Sequence, residues 1–532
     1  MSRERVIRAL AAVITVMAAV VAVGGCGSSA GSSSGTGADP ASIAPAGSVL
    51  YFSAVVRPTG SLATGAVSAA QEISHLSDPF GKLRQSLQAA ATGHGAGIDY
   101  ANDIAPWLGS RVGVFVVAAS GASGAGLSRP AFAAIADATN SAKAMAFIEK
   151  VLRRSSPVGV IDSHSYRGTS YDTLGPTGQE AGGIVKGFAV YGTVTGVRAA
   201  IDTASGGPAL AAASAYQGSG ADTSAVLAGA YVNFNSLLHV IADSGIGGTS
   251  LLGSALGGVG PHSFGLTFSA SGSSLAFDAV TSLSKAAGAQ GQGAAQTLAA
   301  LPGDAWLGVG LGNLGADVTR ELGQFGGAAG GLASAQELFA LLDSRLHGLN
   351  IERDILPWLG SAGLFLTGGS VQTLGGALVV HSTRPTASKA AVGQIRAALA
   401  HVGGIKVSSA SVPGADAAIS VQPAGSSLVV YVVDGNGRFA VALGSQAAAQ
   451  ALRPTNTLAG SSIYHTATGE LGAGFTPTLL VSIPSIASLV LPRLPTRAAA
   501  EVRPYLGAFT VLAAGAQHSG SRATARLVVG LH

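Results

Sequence analysis

At 532 residues the chain is long enough for two or more domains with separate cores, which excludes a small scaffold dependent on staples. Hydrophobic residues make up 48% and charged residues 11%, yet 77 glycines and many alanines supply much of the remainder, and the apolar content lies in short runs, not membrane-length spans. Net charge is +4, of which Arg3, Arg5 and Arg8 against Glu4 account for half; no basic run exceeds Arg153-Arg154, which argues against nucleic acid as a partner.

Residues 1–26 read MSRERVIRALAAVITVMAAVVAVGGC. A basic start, an uncharged stretch from Ala9 to Gly25 and then the one cysteine of the chain follow the plan of a secretory signal at 1–25. The ending Val23-Gly24-Gly25-Cys26 resembles the lipobox of bacterial lipoproteins: small residues suit a narrow peptidase pocket, and the Cys26 thiol accepts diacylglycerol. An uncleaved anchor is the alternative, since 17 uncharged residues sit at the lower edge of a bilayer span. Residues 26–44 then form a Gly/Ser tether with a coil reach of about 20–25 Å. With no second cysteine the exported body makes no internal disulfide.

The body reads as an internal duplication, with copies at 45–283 and 302–532 joined by an Ala/Gly/Gln-rich linker at 284–301. Pro45-Ala-Gly-Ser-Val-Leu-Tyr opens a strand in the first copy and Pro302-Gly-Asp-Ala-Trp-Leu in the second. DIAPWLGS at 103–110 returns as DILPWLGS at 354–361, and Val112-Gly-Val-Phe-Val as Ala362-Gly-Leu-Phe-Leu. The segments 139–154 and 383–399 share a polar start and helical apolar spacing. Phe188-Ala-Val190 and Phe439-Ala-Val441 are aligned at the same 251-residue offset as the phrase. A strand running into a helix matches 230–241 with 479–490, and two strands close each copy, at 262–282 and 505–531. Brief Gly/Ser links favour antiparallel neighbours. The fold class is therefore α+β, each half a largely antiparallel sheet with helices packed on one face.

The repeated phrase has a physical reading. Asp103 and Asp354 are placed to cap a helical turn, and Pro106 and Pro357 fall in its first turn. Gly109 and Gly360 stop the turn by offering a left-handed conformation, and Trp107 and Trp358 plug the corner with large apolar surface. The alternative is a ligand site in each half, the Asp as polar contact and the Trp as platform. Other motifs carry less. Gly310-Leu-Gly312-Asn-Leu-Gly315 with Glu337 downstream fits a dinucleotide fingerprint, but a glycine-rich chain generates such matches by chance. Gly31-Ser-Ser33-Ser-Gly35 lies in the tether, and Asp162-Ser163-His164 are neighbours in sequence that do not face one another. The eleven histidines include no HExxH, and His239 in an apolar run reads as a packed core residue.

Together the lipobox, the Ser/Gly tether, the opening PAGSVLYFSAVVRPTGSL and the Asp-Ile-x-Pro-Trp-Leu-Gly phrase resemble the bacterial lipoproteins grouped as domain of unknown function thirty-three fifty-two. The resemblance spans nearly all of the exported body and brings no activity with it. The expectation is a protein lipidated at Cys26 on the extracytoplasmic face of the cell membrane. It is expected to be a non-enzymatic binding or structural component of the envelope, with no cofactor and no metal. Its partners would be the membrane through the anchor and an envelope protein or an apolar ligand. A lipid carrier, motivated by the low-charge stretches 236–260 and 322–342, and an enzyme with dispersed residues are the rivals.

Overall fold

The computed structural model describes residues 37–532 except 79, 83–84, 86–97, 119–130, 156–158, 176–177, 222–225, 234–235, 237–262, 283–289, 316–349, 371 and 521. Residues 1–25, Cys26, the Gly31–Gly35 segment, His239, Glu337 and nearly all of the stretches 236–260 and 322–342 lie outside the described residues. The chain divides into two compact units, residues up to 247 with 261–282, and residues 248–260 with 283–532.

In the first unit β1 (Leu50–Val55) is followed by α1 (Gly60–Ser74), and β2 (Leu108–Val117) and β3 (Ala131–Ala138) lead into α2 (Ser141–Ser155). Next come β4 (Ile161–Tyr166), β5 (Thr169–Leu174), β6 (Glu180–Val185) and β7 (Phe188–Thr193), then α3 (Val194–Ala204) and α4 (Ser214–Gly218). β8 (Ala228–Val232), β9 (Phe264–Ala270) and β10 (Ser274–Ser282) complete it. Among the described residues these strands pair antiparallel throughout, in the order β10-β9-β8-β1-β2-β3-β7-β6-β5-β4.

The second unit opens with α5 (Gln290–Ala299) and β11 (Leu307–Asn313), followed by β12 (Leu359–Thr367), β13 (Gly375–Ser382) and α6 (Pro385–Leu399). β14 (Ile405–Ser409), β15 (Ala417–Pro423), β16 (Val430–Gly435) and β17 (Arg438–Leu443) precede α7 (Ser445–Leu452) and α8 (Ser462–Leu471). Last come β18 (Thr476–Ser482), α9 (Ile483–Val490), α10 (Thr496–Gly507), β19 (Phe509–Ser519) and β20 (Arg522–Leu531). Their order is β20-β19-β18-β11-β12-β13-β17-β16-β15-β14, again antiparallel, so each strand of the first unit has a topological counterpart ten labels later. Among the described residues no helix is long and apolar enough to cross a membrane.

Local chemistry accounts for these elements. The two-residue hairpin links Arg167-Gly168, Lys186-Gly187 and Asn436-Gly437 all have positive φ at both positions, as a type I′ turn requires. α2 is capped by Asn140, whose side chain accepts the Lys143 amide at 3.0 Å, and it buries Ala144, Ile148 and Leu152 along one stripe. Arg153 and Arg154 occupy its last turn, where cations suit the helix dipole.

Both faces of each sheet carry helices, not one face as the strand and helix pattern suggested. In the first unit Tyr51, Phe115, Ile135 and Val190 pack with Val197 and Ile201 of α3, whereas Val112 and Ala189 pack with Ala144 and Ile148 of α2. In the second unit Phe365, Val379 and Ala440 pack with α7, and Ala362, Val380 and Phe439 pack with α6. The reason is the side-chain alternation of strands that are apolar at consecutive positions: Val379 and Val380 each bury, on opposite faces.

Two boundaries and one register differ from the sequence reading. Residues 39–44, taken with the tether, belong to the first core: Asp39 caps Pro40–Ser42, and Ala41, Ile43 and Ala44 are buried. The linker holds α5, whose Leu298 is buried in the second core. Phe188 and Phe439 are not equivalent. Ala136 of β3 faces Ala189, and its counterpart Val380 faces Phe439, so the β7 and β17 registers correspond at an offset of 250, not 251. The one-residue slip puts Phe188 and Phe439 on opposite faces of their sheets.

Candidate functional site

The repeated phrase forms a corner at the same place in each unit. In the first, Tyr100–Ile104 makes a wide turn closed by the Ala105 amide on the Tyr100 carbonyl at 2.7 Å. In the second, Ile351–Ile355 is closed likewise by the Leu356 amide on the Ile351 carbonyl. The cap is not Asp103 or Asp354 but the residue four positions earlier. Asp99 accepts the Asn102 amide at 2.8 Å and Asn350 accepts the Arg353 amide at 2.7 Å. Asp103 and Asp354 reach back instead. Their Oδ2 atoms accept the Asp99 amide at 2.6 Å and the Asn350 amide at 3.0 Å. This is a reciprocal capping box stretched by one residue, because the turn is one residue wider than an α-helical one.

The tryptophans close the corner. Trp107 Nε1 donates to the Asp103 carbonyl at 2.6 Å and Trp358 Nε1 to the Asp354 carbonyl at 2.7 Å. Each indole is buried, stacked obliquely on Phe147 of α2 or on Phe439 of β17 with ring centroids 5.4 Å and 5.0 Å apart. The Trp107 and Trp358 carbonyls accept the Thr139 and Thr383 amides at 2.8 Å and 2.9 Å, tying each corner to the end of the neighbouring strand. Pro106 and Pro357 precede the tryptophans, where the chain needs no donor.

Gly109 and Gly360 do not adopt the left-handed conformation expected of them, since both lie inside strands β2 and β12 and have no positive φ. Their need is space. A Cβ on Gly109 would sit 2.2 Å from Asp137 Oδ2, and one on Gly360 2.6 Å from the His381 carbonyl oxygen.

Electrostatics differ between the corners while the result is the same. Burial pushes the Asp103 carboxyl up, but the Asp99 amide and the Lys150 ammonium, 2.6 Å away, overcome it and hold the pKa below the ordinary carboxylate range. At Asp354 the Arg353 guanidinium, which donates at 2.8 Å and 2.9 Å, lowers the pKa, helped by the Asn350 amide. Both carboxylates are thus occupied, Asp354 by donors of its own corner and Asp103 by the Asp99 amide and by Lys150 of α2.

The other sequence motifs separate. Gly310 and Gly312 lie inside β11, not in a turn after it, and a Cβ on Gly310 would meet the Ala294 carbonyl of α5 at 1.9 Å, so that glycine serves helix–sheet approach. Gly315 follows the strand, packed against the Leu356 and Leu359 carbonyls. On β4 Ser163 Oγ donates to Asp172 at 2.7 Å and His164 Nε2 pairs with Thr173 Oγ1 at 2.9 Å, cross-strand contacts that leave no Asp–His–Ser relay. Among the described residues no group of three or more His, Cys, Asp or Glu stands close enough to hold a metal ion. Sequence reasoning missed one buried acid, Asp434 of β16, whose Oδ2 has no hydrogen-bond partner and whose pKa burial raises.

No curated protein matches the chain. Among solved structures, crystal form I of TP0453 aligns at 10% identity with a TM-score of 0.25, covering 47% of this chain and 81% of that one. Crystal form IV of TP0453 aligns at 10% identity with a TM-score of 0.24, covering 46% and 80%. Both likenesses are too slight to say anything of this chain. Residues 6–527 match the model of the family described as Protein of unknown function (DUF3352), and the chain belongs to that family.

Proposed function

We propose that the protein is anchored by lipid on Cys26 outside the cytoplasmic membrane and serves there as a non-enzymatic binding or structural component of the cell envelope, its body being two copies of one α+β domain. The observation that carries this reading is the order of residues 3–26: three arginines, an uncharged stretch from Ala9 to Gly25, and Val23-Gly24-Gly25 directly before the single cysteine. Two acyl chains on the thiol and a third on the freed amine exceed the two signals that stable anchoring takes. Among the described residues the Gly37 amide already donates to Ser110 Oγ at 3.1 Å, so the folded body starts no later than residue 37.

The duplication is supported by the shared strand order, by the paired caps Asp99 and Asn350, by the Trp107 and Trp358 plugs, and by the opening prolines. Pro45 bridges to Ala209 and Pro302 to Thr457, each antiparallel. A scaffolding role for the repeated phrase is supported by the way its polar atoms are used up within the corner. The non-enzymatic reading rests on the same point: the most specific motif in the chain presents buried indoles and engaged carboxylates.

The test is metabolic labelling with an alkyne fatty acid, followed by fractionation and the mass of the N-terminal peptide. The expected result is label on Cys26 and recovery in the membrane, both lost in Cys26→Ser. Label or full membrane retention persisting in Cys26→Ser overturns the anchor.

A further inference from the structure

In the second unit α9, the turn Leu491–Arg493, α10 and the start of β19 border an open groove of about 380 Å³. Its lining is mostly apolar, with Pro484, Ala487, Leu491, Leu506 and Phe509, and Arg503 also borders it. α9 reads IPSIASLV, yet none of its residues is fully buried, and Val490 at its end is 42% exposed. α9 is thus an apolar helix whose residues are mostly half-buried along the groove.

The surrounding charge says what kind of occupant fits. Between 483 and 507 the charged residues are Arg493, Arg497, Arg503 and Glu501. Arg497 pairs with Glu501 at 3.1 Å, while Arg493 and Arg503 have no ion pair or hydrogen bond from their side chains among the described residues. No acidic residue lines the groove. Helices that place apolar residues beside arginines suit the boundary between acyl chains and anionic head groups. On α10 Tyr505, 52% exposed, adds an amphipathic ring of the kind favoured there.

We propose that this groove takes one acyl chain of an anionic membrane phospholipid, with Arg503 meeting its head group. The lipid source rests on the anchored placement proposed above, because a body tethered at Cys26 has the outer leaflet within reach.

The experiment uses the full lipidated chain reconstituted in vesicles that carry phosphatidylglycerol or phosphatidylcholine with a photoactivatable acyl chain, and maps the cross-linked peptides by mass. Expected is a phosphatidylglycerol cross-link within 484–509, at least fivefold above phosphatidylcholine, reduced at least fivefold in Arg503→Glu and lost in Ser488→Trp. Ser488 is an exposed residue at the groove, so that variant fills the space without touching a core. Circular dichroism melts of both variants should match the parent. Equal cross-linking by the two lipids, cross-links spread over other surfaces, or a signal that survives Ser488→Trp overturns the groove. The Cys26 peptide mass from the same digest scores the anchor separately, so either idea fails alone.

Discussion

Trp358 Nε1 donates to the Asp354 carbonyl at 2.7 Å across four residues of one corner, and the 1% of its surface left exposed shows how completely the ring is spent on packing. A large indole removed from such a site leaves a cavity that the sheet and α6 cannot close. Trp358→Ala and Trp107→Ala are each expected to cost about 3–5 kcal/mol in urea unfolding. Trp358→Phe keeps much of the packing and removes the donor, for a loss of about 1 kcal/mol beyond the volume change. A binding defect in Trp358→Ala with unchanged stability would make the corner a ligand site.

The two corner carboxylates should give the protein an acid-sensitive component. Asp103 and Asp354 have folded pKa values below their unfolded ones, so the stability they add is present above the ordinary carboxylate pKa and falls away as pH drops through the folded values. Urea midpoints measured from pH 6 down to pH 2 are expected to fall less steeply for the double variant Asp103→Asn, Asp354→Asn than for the parent.

Asp434 works in the opposite direction. Its carboxyl is buried opposite Phe439, and burial raises its pKa, with Asp416 adding to the rise and Ser388 and Lys389 opposing it. A raised folded pKa means that stability declines as pH climbs from the unfolded value through the folded one. Asp434→Asn should remove that decline and leave the protein at least as stable at pH 7, read as an equal or higher melting temperature. A markedly lower one would mean that the ionised carboxylate is itself needed.

The two phrase glycines should tolerate alanine unequally. At Gly360 the new Cβ meets the backbone oxygen of His381, which cannot move without shifting β13, so Gly360→Ala is expected to cost about 1–3 kcal/mol. At Gly109 it meets the Asp137 carboxylate, a side chain that can turn away at the loss of its contact with the Ser110 amide at 3.3 Å, leaving the 2.9 Å approach to Asp137 Cβ to be relieved by a small shift of β3. Gly109→Ala is expected to cost about 1 kcal/mol. Equal denaturation midpoints for the two variants would contradict this account.

Elements with strong local signals were legible in the sequence. The α2 and α6 helices follow from polar starts and helical spacing, and the antiparallel pairing of neighbouring strands from the brief links between them. Register was not legible: Phe-Ala-Val occurs in β7 and β17, but identical letters in a period-two element carry no information about which face they bury. The caps were missed for a related reason. A capping box is sought three residues from the cap, whereas the wide turns at Tyr100 and Ile351 move its partner to the fourth, so Asp99 and Asn350 escaped notice. The groove left only the apolar run IPSIASLVLPRL as a trace, because its walls come from separate segments, including His532 far along the chain.

At the far end of each ten-strand order stand β4 and β14, which among the described residues pair on one side only. Both are brief, and their side chains are polar where a growing sheet would want apolar ones: Asp162, Ser163, His164 and Ser165 on one, Lys406, Ser408 and Ser409 on the other. An unpaired strand invites a stranger to continue the ladder. Short, hydrophilic outer strands give a second copy little apolar surface to pack against, so they disfavour edge-to-edge polymerisation.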